Sequence, residues 1–426
     1  MRSLLRAIPV ALLAVSLFLV FAPRGGRTLP LYAARTGLMC QNCHFDPNGG
    51  GPRNEFGFAF ARNRHSLAPE DSSSEWKDLN LTNRIGDAMP VYLGLNQRFM
   101  LLASTSAHAD SLDELGFFNM ENALYVSFQP HARLTLVYSR DGFDQGSTTK
   151  DAFGMISGFG WNGYLKAGRF RSPFGLRWDD HTVGTRNSFL DFYQTRIPFS
   201  AFILGQARTS FLPYDPRNPD EGIEMGADHG SWFGRAAVTN GASAPLGPTP
   251  NRAQTVSAKL GGNFSRLQAA ASFYDDFHFA SIFFGGEQPV RATRWGAYAL
   301  GHAGKASLLG EVGAGTDRSG SQKVNSLAYI LEADYQLTRG VNVRARYDHL
   351  DLYRDDTVLP ITPTESVTLR DLNTHDRYAL EGEFTPVPFA ELRWALRYIN
   401  HKADEFPDST PIHDERQAFV QFHFSY

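Results

Sequence analysis

The stretch FAELRWALRYIN, residues 389–400, decides the fold because its side chains alternate between apolar and charged. A repeat of two residues is the side-chain period of a β-strand. The apolar members are Leu392, Trp394, Leu396 and Tyr398, and the charged members are Glu391, Arg393 and Arg397. The stretch therefore predicts a strand with one apolar, aromatic face and one charged face.

The same alternation recurs on both sides of this stretch, in residues 132–138, 327–337, 341–350 and 417–426. A soluble sandwich also alternates, because its apolar face meets a second sheet. In an outer-membrane barrel the apolar face meets lipid and the charged face lines a water-filled lumen. Charge on the second face of strand after strand favours the barrel.

Connection lengths support the same conclusion. Short links alternate with long ones, as the periplasmic turns and outer loops of an outer-membrane barrel do. The strand count is about 18, or 16 if the weak hairpin 187–208 is left out, and Tyr426 supplies a terminal aromatic residue. We therefore predict an all-β fold, a transmembrane antiparallel outer-membrane β-barrel of 16–18 strands over residues 90–426, wide enough for an aqueous lumen.

Composition excludes several functional classes. The 426 residues carry 41 Lys and Arg against 44 Asp and Glu, a net charge of -3, so no basic excess points to nucleic acid. The chain has 39 Gly and 33 Phe but only 2 Cys, which excludes a disulfide scaffold. No catalytic triad, P-loop or metalloprotease motif is present, so no catalytic residue is predicted.

The first residues predict export. Arg2 and Arg6 precede an apolar run over residues 8–22, which is short for a membrane helix of about 20 residues. A basic start and a short apolar core are typical of a secretory signal, which we assign to residues 1–27. Because no clean small-x-small cleavage site follows, an uncleaved anchor remains an alternative.

Residues 28–89 contain Cys40-Gln41-Asn42-Cys43-His44, the C-x-x-C-H pattern of covalent haem attachment. Two thiols on one helical turn bind the two vinyl groups of one haem, and the adjacent His44 supplies an axial nitrogen to the iron. A redox disulfide and half of a zinc site are the alternatives, but no second Cys pair exists to complete a zinc site. We predict a monohaem cytochrome c module with one covalent haem c held by Cys40, Cys43 and His44.

The second axial ligand is predicted to be His65. It follows Phe56 and Phe60, which lie at i and i+4 as on one face of a short helix and are placed to cover a haem. Met89 is the reserve, because a methionine ligand raises the potential of a haem. An open sixth position is the third alternative.

The order of these parts resembles the fused outer-membrane monohaem c-type cytochrome–porins of iron-oxidising bacteria. The resemblance is carried by YAARTG at residues 32–37, the C-x-x-C-H motif and Phe56-Gly57. The segment AGRFRSPFGL at residues 167–176 also resembles a motif of porin-type barrels. The insert NGGGP at residues 48–52 departs from the compact spacing of that family.

This resemblance implies an electron conduit of the outer membrane. An extracellular donor such as Fe(II) would supply electrons, a soluble periplasmic cytochrome c would accept them, and the chain would act as an Fe(II) oxidase. One haem cannot span a bilayer core of roughly 30 Å, so the module would lie in the barrel lumen or on its periplasmic side. A diffusion porin whose haem module serves as plug, sensor or tether, and a soluble secreted β protein with haem, are the competing hypotheses.

Overall fold

The computed structural model describes residues 30–69, 81–105, 114–142, 148–177, 219–241, 254–281, 287–319, 322–351, 357–360, 366–369, 374–402 and 414–426. The predicted signal, residues 1–27, and the weak hairpin, residues 187–208, lie outside them. Within the described ranges, no helix has both the length and the apolarity needed to span a membrane.

Sixteen antiparallel strands form one closed barrel. Each strand pairs with the next one along the barrel, and the last strand (Glu415–Ser425) pairs with the first (Val91–Ser104) to close it. The barrel strands are β2 (Val91–Ser104), β3 (Glu114–His131), β4 (Leu134–Asp141), β5 (Thr148–Phe159), β6 (Gly163–Phe170), β7 (Asp220–His229), β8 (Trp232–Thr239), β9 (Thr255–Phe264), β10 (Leu267–Ser281), β11 (Glu287–Ala303), β12 (Ala306–Ser319), β13 (Gln322–Thr338), β14 (Val341–Asp351), β17 (Thr374–Val387), β18 (Ala390–Lys402) and β19 (Glu415–Ser425).

Three short strands lie outside this set. β1 (Arg84–Ile85) pairs with the start of β2, and β15 (Thr357–Pro360) pairs with β16 (Ser366–Leu369) as a separate hairpin. The predicted all-β barrel is thus confirmed, with the lower of the two strand counts.

The alternation in β18 has the predicted orientation. Leu396 is 55% exposed on the outer face, whereas Arg393 and Arg397 are buried on the inner face. Both arginines pair there with Glu381 of β17, at 3.1 and 2.9 Å. The outward apolar residues have no second sheet over them among the described residues, so the sandwich alternative is not supported.

The described part of the N-terminal segment contains two short helices and lies at the end of the barrel where the short turns are. It comprises α1 (Pro30–Thr36), a 3-10 turn (Cys40–Asn42) and α2 (Glu55–Arg62). Asn54 caps α2, because its side-chain oxygen accepts the backbone N–H of Gly57 at 2.9 Å. The buried face of α2 carries Phe58, Phe60 and Ala61.

Charge on the outer face of β18 is expected to impair assembly. Leu396 is the central residue of β18, and arginine facing lipid at mid-membrane costs about 2–4 kcal/mol. Leu396→Arg should therefore lower the yield of heat-modifiable barrel on gels. Arg397→Leu is the matched control, because Glu381 keeps Arg344, Arg346 and Arg393 as partners. Equal assembly of the two variants would contradict a lipid-facing outer surface.

Candidate functional site

Residues 30–69, which we call the plug, pack inside the barrel. Ala33 and Ala34 of α1 are buried against a core formed by the inner wall. That wall core includes Leu300 of β11, Leu309 of β12 and Ile330 of β13. The apolar face of α1 therefore packs against apolar side chains of three strands that point into the lumen.

Arg35 pins α1 to the barrel wall. Its guanidinium donates to Asp334 of β13 at 2.8 and 2.7 Å and to Glu383 of β17 at 3.1 and 2.9 Å. Burial alone would lower the pKa of Arg35, but the two carboxylates raise it well above its usual range. Two-pronged pairs of this kind fix orientation as well as position.

A second set of charges holds the turn after the C-x-x-C-H motif. Asp46 accepts from the ammonium of Lys166 on β6 at 3.2 Å and from Arg177 at 3.0 Å. Burial alone would raise the pKa of Asp46, but these two cations bring it below its usual range. Asn48 donates its side-chain amide to Glu224 of β7 at 2.9 and 3.0 Å. This side of the plug is thus bound to strands on a different part of the barrel from Arg35.

The porin-like segment at residues 167–176 runs from β6 into the lumen. The backbone N–H of Gly175 donates to Ser272 at 3.0 Å, and that of Leu176 donates to Glu311 at 2.9 Å. A Cβ on Gly296 would lie 2.8 Å from the ring of Phe174, so the ring packs flush on the wall. The segment narrows the lumen beside the plug and places the Arg177 guanidinium next to the Asp46 carboxylate.

The third anchor is at the short turns. Phe58 of α2 packs on Phe389 and Tyr426, with ring centroids 4.8 and 5.1 Å apart. Arg339, in the turn between β13 and β14, donates to Asn63 at 3.3 Å and to the Pro69 carbonyl at 2.7 Å. The plug therefore lies at the short-turn end, which is the periplasmic end in barrels of this type.

The C-x-x-C-H segment has the local geometry that haem attachment requires. The backbone N–H groups of Cys43 and His44 both donate to the carbonyl of Cys40, at 3.1 and 3.0 Å, which makes one helical turn. Both cysteines are free thiols. Burial raises the pKa of the Cys40 thiol, so it is held protonated in the folded plug.

Glycines pack the plug tightly around this turn. A Cβ on Gly57 would lie 2.2 Å from the carbonyl oxygen of Cys43, so α2 rests directly on the motif. Gly49 has a φ of +90°, and a Cβ there would lie 3.1 Å from the side chain of Cys40. The glycine insert at residues 48–52 therefore serves close packing against the first cysteine.

His44 lines a cavity of about 670 Å³ at the short-turn end. The cavity wall includes Phe45, Phe56, Tyr92 and Met155, and its size is within the range of ordinary cofactor pockets. Cys40 instead lines a separate cavity of about 30 Å³. The turn brings two thiols and an imidazole together, as covalent haem attachment requires, but neither Cys40 nor Cys43 is among the described residues that line the His44 cavity.

His65 lies elsewhere in the plug. A hydrogen bond of 2.9 Å joins its Nδ1 to the hydroxyl of Tyr32, and the two rings stack at 4.3 Å. Burial lowers the pKa of His65 to about 3, so the imidazole is neutral. Its other neighbours include oxygens of Glu383 and Glu391, within 4.8 Å.

The two residues proposed for the sixth position are not on the His44 cavity. Neither His65 nor Met89 is among the described residues that line it. Met89 is 60% exposed, just before β2. Cys40, Cys43 and His44 lie in one turn, and a covalent haem with His65 or Met89 as its second ligand stays a prediction.

Sequence reasoning missed the residues that hold the plug. Arg35 is the only charged residue in the helix PLYAART, and a lone charge in an apolar helix signals a buried partner. Asp46 gave no signal, because its cationic partners are 120 and 131 positions away.

Comparison with known proteins defines the fold. No protein-family model matches the chain, and no curated protein matches it. Among solved structures it is similar to the anion-selective porin from Comamonas acidovorans, with a TM-score of 0.56 and 11% identity over 79% of this chain and 100% of that one.

Two other outer-membrane proteins are similar to the same extent. OmpT of Vibrio cholerae gives a TM-score of 0.54 at 11% identity, covering 80% of this chain and 99% of that one. The outer membrane channel DcaP of Acinetobacter baumannii gives 0.53 at 9% identity, covering 80% and 98%. At these identities the similarity establishes the fold, a porin-like outer-membrane barrel.

Proposed function

We propose that this chain is a porin-type channel of the outer membrane whose periplasmic end is closed by a haem-bearing plug. The observation that carries the proposal is the buried pairing of Arg35 with Asp334 and Glu383. These ion pairs hold the plug against the lumen wall. Breaking a buried pair from one side leaves an uncompensated charge, so the plug is held firmly.

The plug blocks the path along which solutes cross a porin. It contacts wall strands on separate sides of the barrel, through Arg35 at β13 and β17 and through Asp46 and Asn48 at β6 and β7. The segment ending at Arg177 occupies more of the same cross-section. Small solutes and ions are thus expected to pass slowly unless the plug moves.

The haem belongs to this proposal as the plug's cofactor. Cys40 and Cys43 would hold it covalently, and His44 would supply a nitrogen ligand to its iron. A bound haem c supplies one-electron redox chemistry. Gly57 and Gly49 pack closely against the buried turn, so the turn would hold the haem attachment point rigid.

Conductance in planar bilayers tests the closure. The holoprotein should show small, infrequent current steps, whereas the double variant Arg35→Met and Asp46→Asn should show larger steps because both charged anchors of the plug are removed. Arg84→Met is the control, since the Arg84–Glu55 pair lies at the exposed rim of the plug. A wild-type conductance as large as that of the double variant would contradict closure by the plug.

An electron conduit is the second candidate, and the position of the plug favours it. Arg339 bonds the plug to the short turn between β13 and β14, at the periplasmic end of a barrel of this type. A haem held by the plug would face the side from which a soluble periplasmic cytochrome c approaches. An extracellular donor such as Fe(II) would have to deliver electrons from the side of the long loops.

Liposomes containing oxidised soluble cytochrome c test this candidate. With the holoprotein in the membrane, external Fe(II) should reduce the entrapped cytochrome, and Cys43→Ala should abolish that reduction. Reduction at the same rate with Cys43→Ala would point to leakage through the channel. No reduction with the holoprotein would remove the electron conduit and leave the plugged channel.

A further inference from the structure

We propose that three outward-facing cations, at the end of the barrel opposite the plug, bind the phosphates of a lipid headgroup in the outer leaflet of the membrane. They are Arg291 of β11, Arg318 of β12 and Lys323 of β13, which we call the basic row. Arg291 lies directly opposite Arg318, and Arg318 lies directly opposite Lys323. Residues paired in this way have Cβ atoms about 5 Å apart, so the three cations form one row across neighbouring strands.

The alternation within each strand gives the basic row its outward orientation. On β11, Trp295 is 63% exposed on the outer face, whereas its neighbour Arg294 is buried on the inner face. Arg291 is an even number of positions from Trp295 and therefore shares its face. The same even spacing from exposed apolar residues of β12 and β13 places the other two cations outward, and all three are exposed.

The basic row lies just beyond the apolar band of the outer face. Along each of the three strands the outward residues change in the same order, from apolar to neutral polar to cationic. The order is Trp295, Thr293 and Arg291 on β11, Ala314, Thr316 and Arg318 on β12, and Leu327, Asn325 and Lys323 on β13. The ring of Trp295 lies 4.6 Å from that of Phe273, as in the aromatic girdle that marks the edge of the hydrocarbon core in such barrels. The cations are therefore at the depth of the lipid headgroups.

The charge of the basic row is only partly balanced within the barrel. Like charges directly opposite each other destabilise a sheet. Arg291 is compensated by Asp275 of β10, whose carboxylate accepts from it at 3.0 and 2.9 Å. Among the residues that the structure describes, no carboxylate pairs with Arg318 or Lys323. A phosphate between these two side chains would relieve their repulsion, because its oxygens accept hydrogen bonds from guanidinium and ammonium groups.

A lipid phosphate fits this surface better than a free anion does. The acyl chains of the lipid would lie on the apolar band next to Trp295, while its headgroup reaches the cations beyond that band. Each Lys or Arg close to a membrane surface adds to the attraction of anionic lipid. The consequence is a bound lipid on the β11–β13 side of the barrel, on a surface separate from the lumen and the plug.

Native mass spectrometry of the full chain in detergent tests the proposal. The probe is diphosphoryl lipid A, a lipid with two phosphates on its sugar headgroup. The double variant Arg318→Gln and Lys323→Gln should bind it about thirtyfold more weakly than the wild type does. The double variant Arg133→Gln and Lys305→Gln is the matched control, because it removes two exposed cations at short turns, at the other end of the barrel. Its affinity for the probe should equal that of the wild type.

A second comparison needs no variant. The wild type should bind the same lipid without its phosphates at least tenfold more weakly, because the basic row then has no anion to hold. Equal binding of the two lipids, or equal weakening in both double variants, would overturn the proposal. Complete displacement of the lipid by an equal concentration of inorganic phosphate would also overturn it, since the ligand would then be a free anion.

Discussion

Cys43→Ala is expected to yield a barrel without covalent haem. Cys40 and Cys43 are the only cysteines of the chain, and the attachment chemistry uses both thiols of one turn. On a denaturing gel stained for haem peroxidase activity, the wild-type band should stain near the full-length mass, and the band of the variant should fall to background.

Met39→Leu is the control for this substitution. Met39 precedes the motif and packs against the apolar core of α1 and the wall, so the change keeps both thiols and His44. Its haem stain should match that of the wild type. If the wild type itself lacks stain in a host that matures haem c, the cofactor prediction is wrong and the plug stands without it.

Arg35→Met is expected to loosen the plug by about 3 kcal/mol, because Asp334 loses this buried partner while Glu383 keeps Arg344. Each 1.4 kcal/mol is roughly a tenfold change in an equilibrium constant. Trypsin cleavage at Arg53 and Arg62, which follows the population of the released plug, should accelerate by about two orders of magnitude.

Arg84→Met provides the comparison. Arg84 pairs with Glu55 at the exposed rim of the plug, so water solvates the Glu55 carboxylate when Arg84 is replaced. Its trypsin cleavage rate should stay close to that of the wild type. Equal acceleration in both variants would indicate that the buried pairs of Arg35 do not hold the plug.

The barrel could be predicted from local sequence because the alternation within each strand shows which residues face lipid and which face the lumen. Leu396 and Arg397 are adjacent in the chain and lie on opposite sides of the wall, as the period of two requires. The choice between 16 and 18 strands needed the structure. Closure depends on β19 finding β2, a pairing between residues more than 300 positions apart, such as Gln417 with Ser104.

The C-x-x-C-H motif could also be recognised from the sequence, because Cys40, Cys43 and His44 lie within one turn. The residues that surround it in the fold could not be predicted. Asp46 finds Lys166 and Arg177 across the lumen, and no pattern near Asp46 predicts those partners. The two proposed sixth ligands, His65 and Met89, were chosen by proximity in sequence, and neither is among the described residues that line the His44 cavity.

The sequence by itself determined the features that depend on short-range periodicity and covalent chemistry: β-strands with a lipid face and a charged face, and a C-x-x-C-H turn ahead of them. Only the tertiary structure decided that the motif lies inside the barrel and that Arg35 and Asp46 hold it there. The physical reason is distance along the chain. A buried charge can be satisfied by any residue that the closed barrel brings near, and closure is a property of all the strands together.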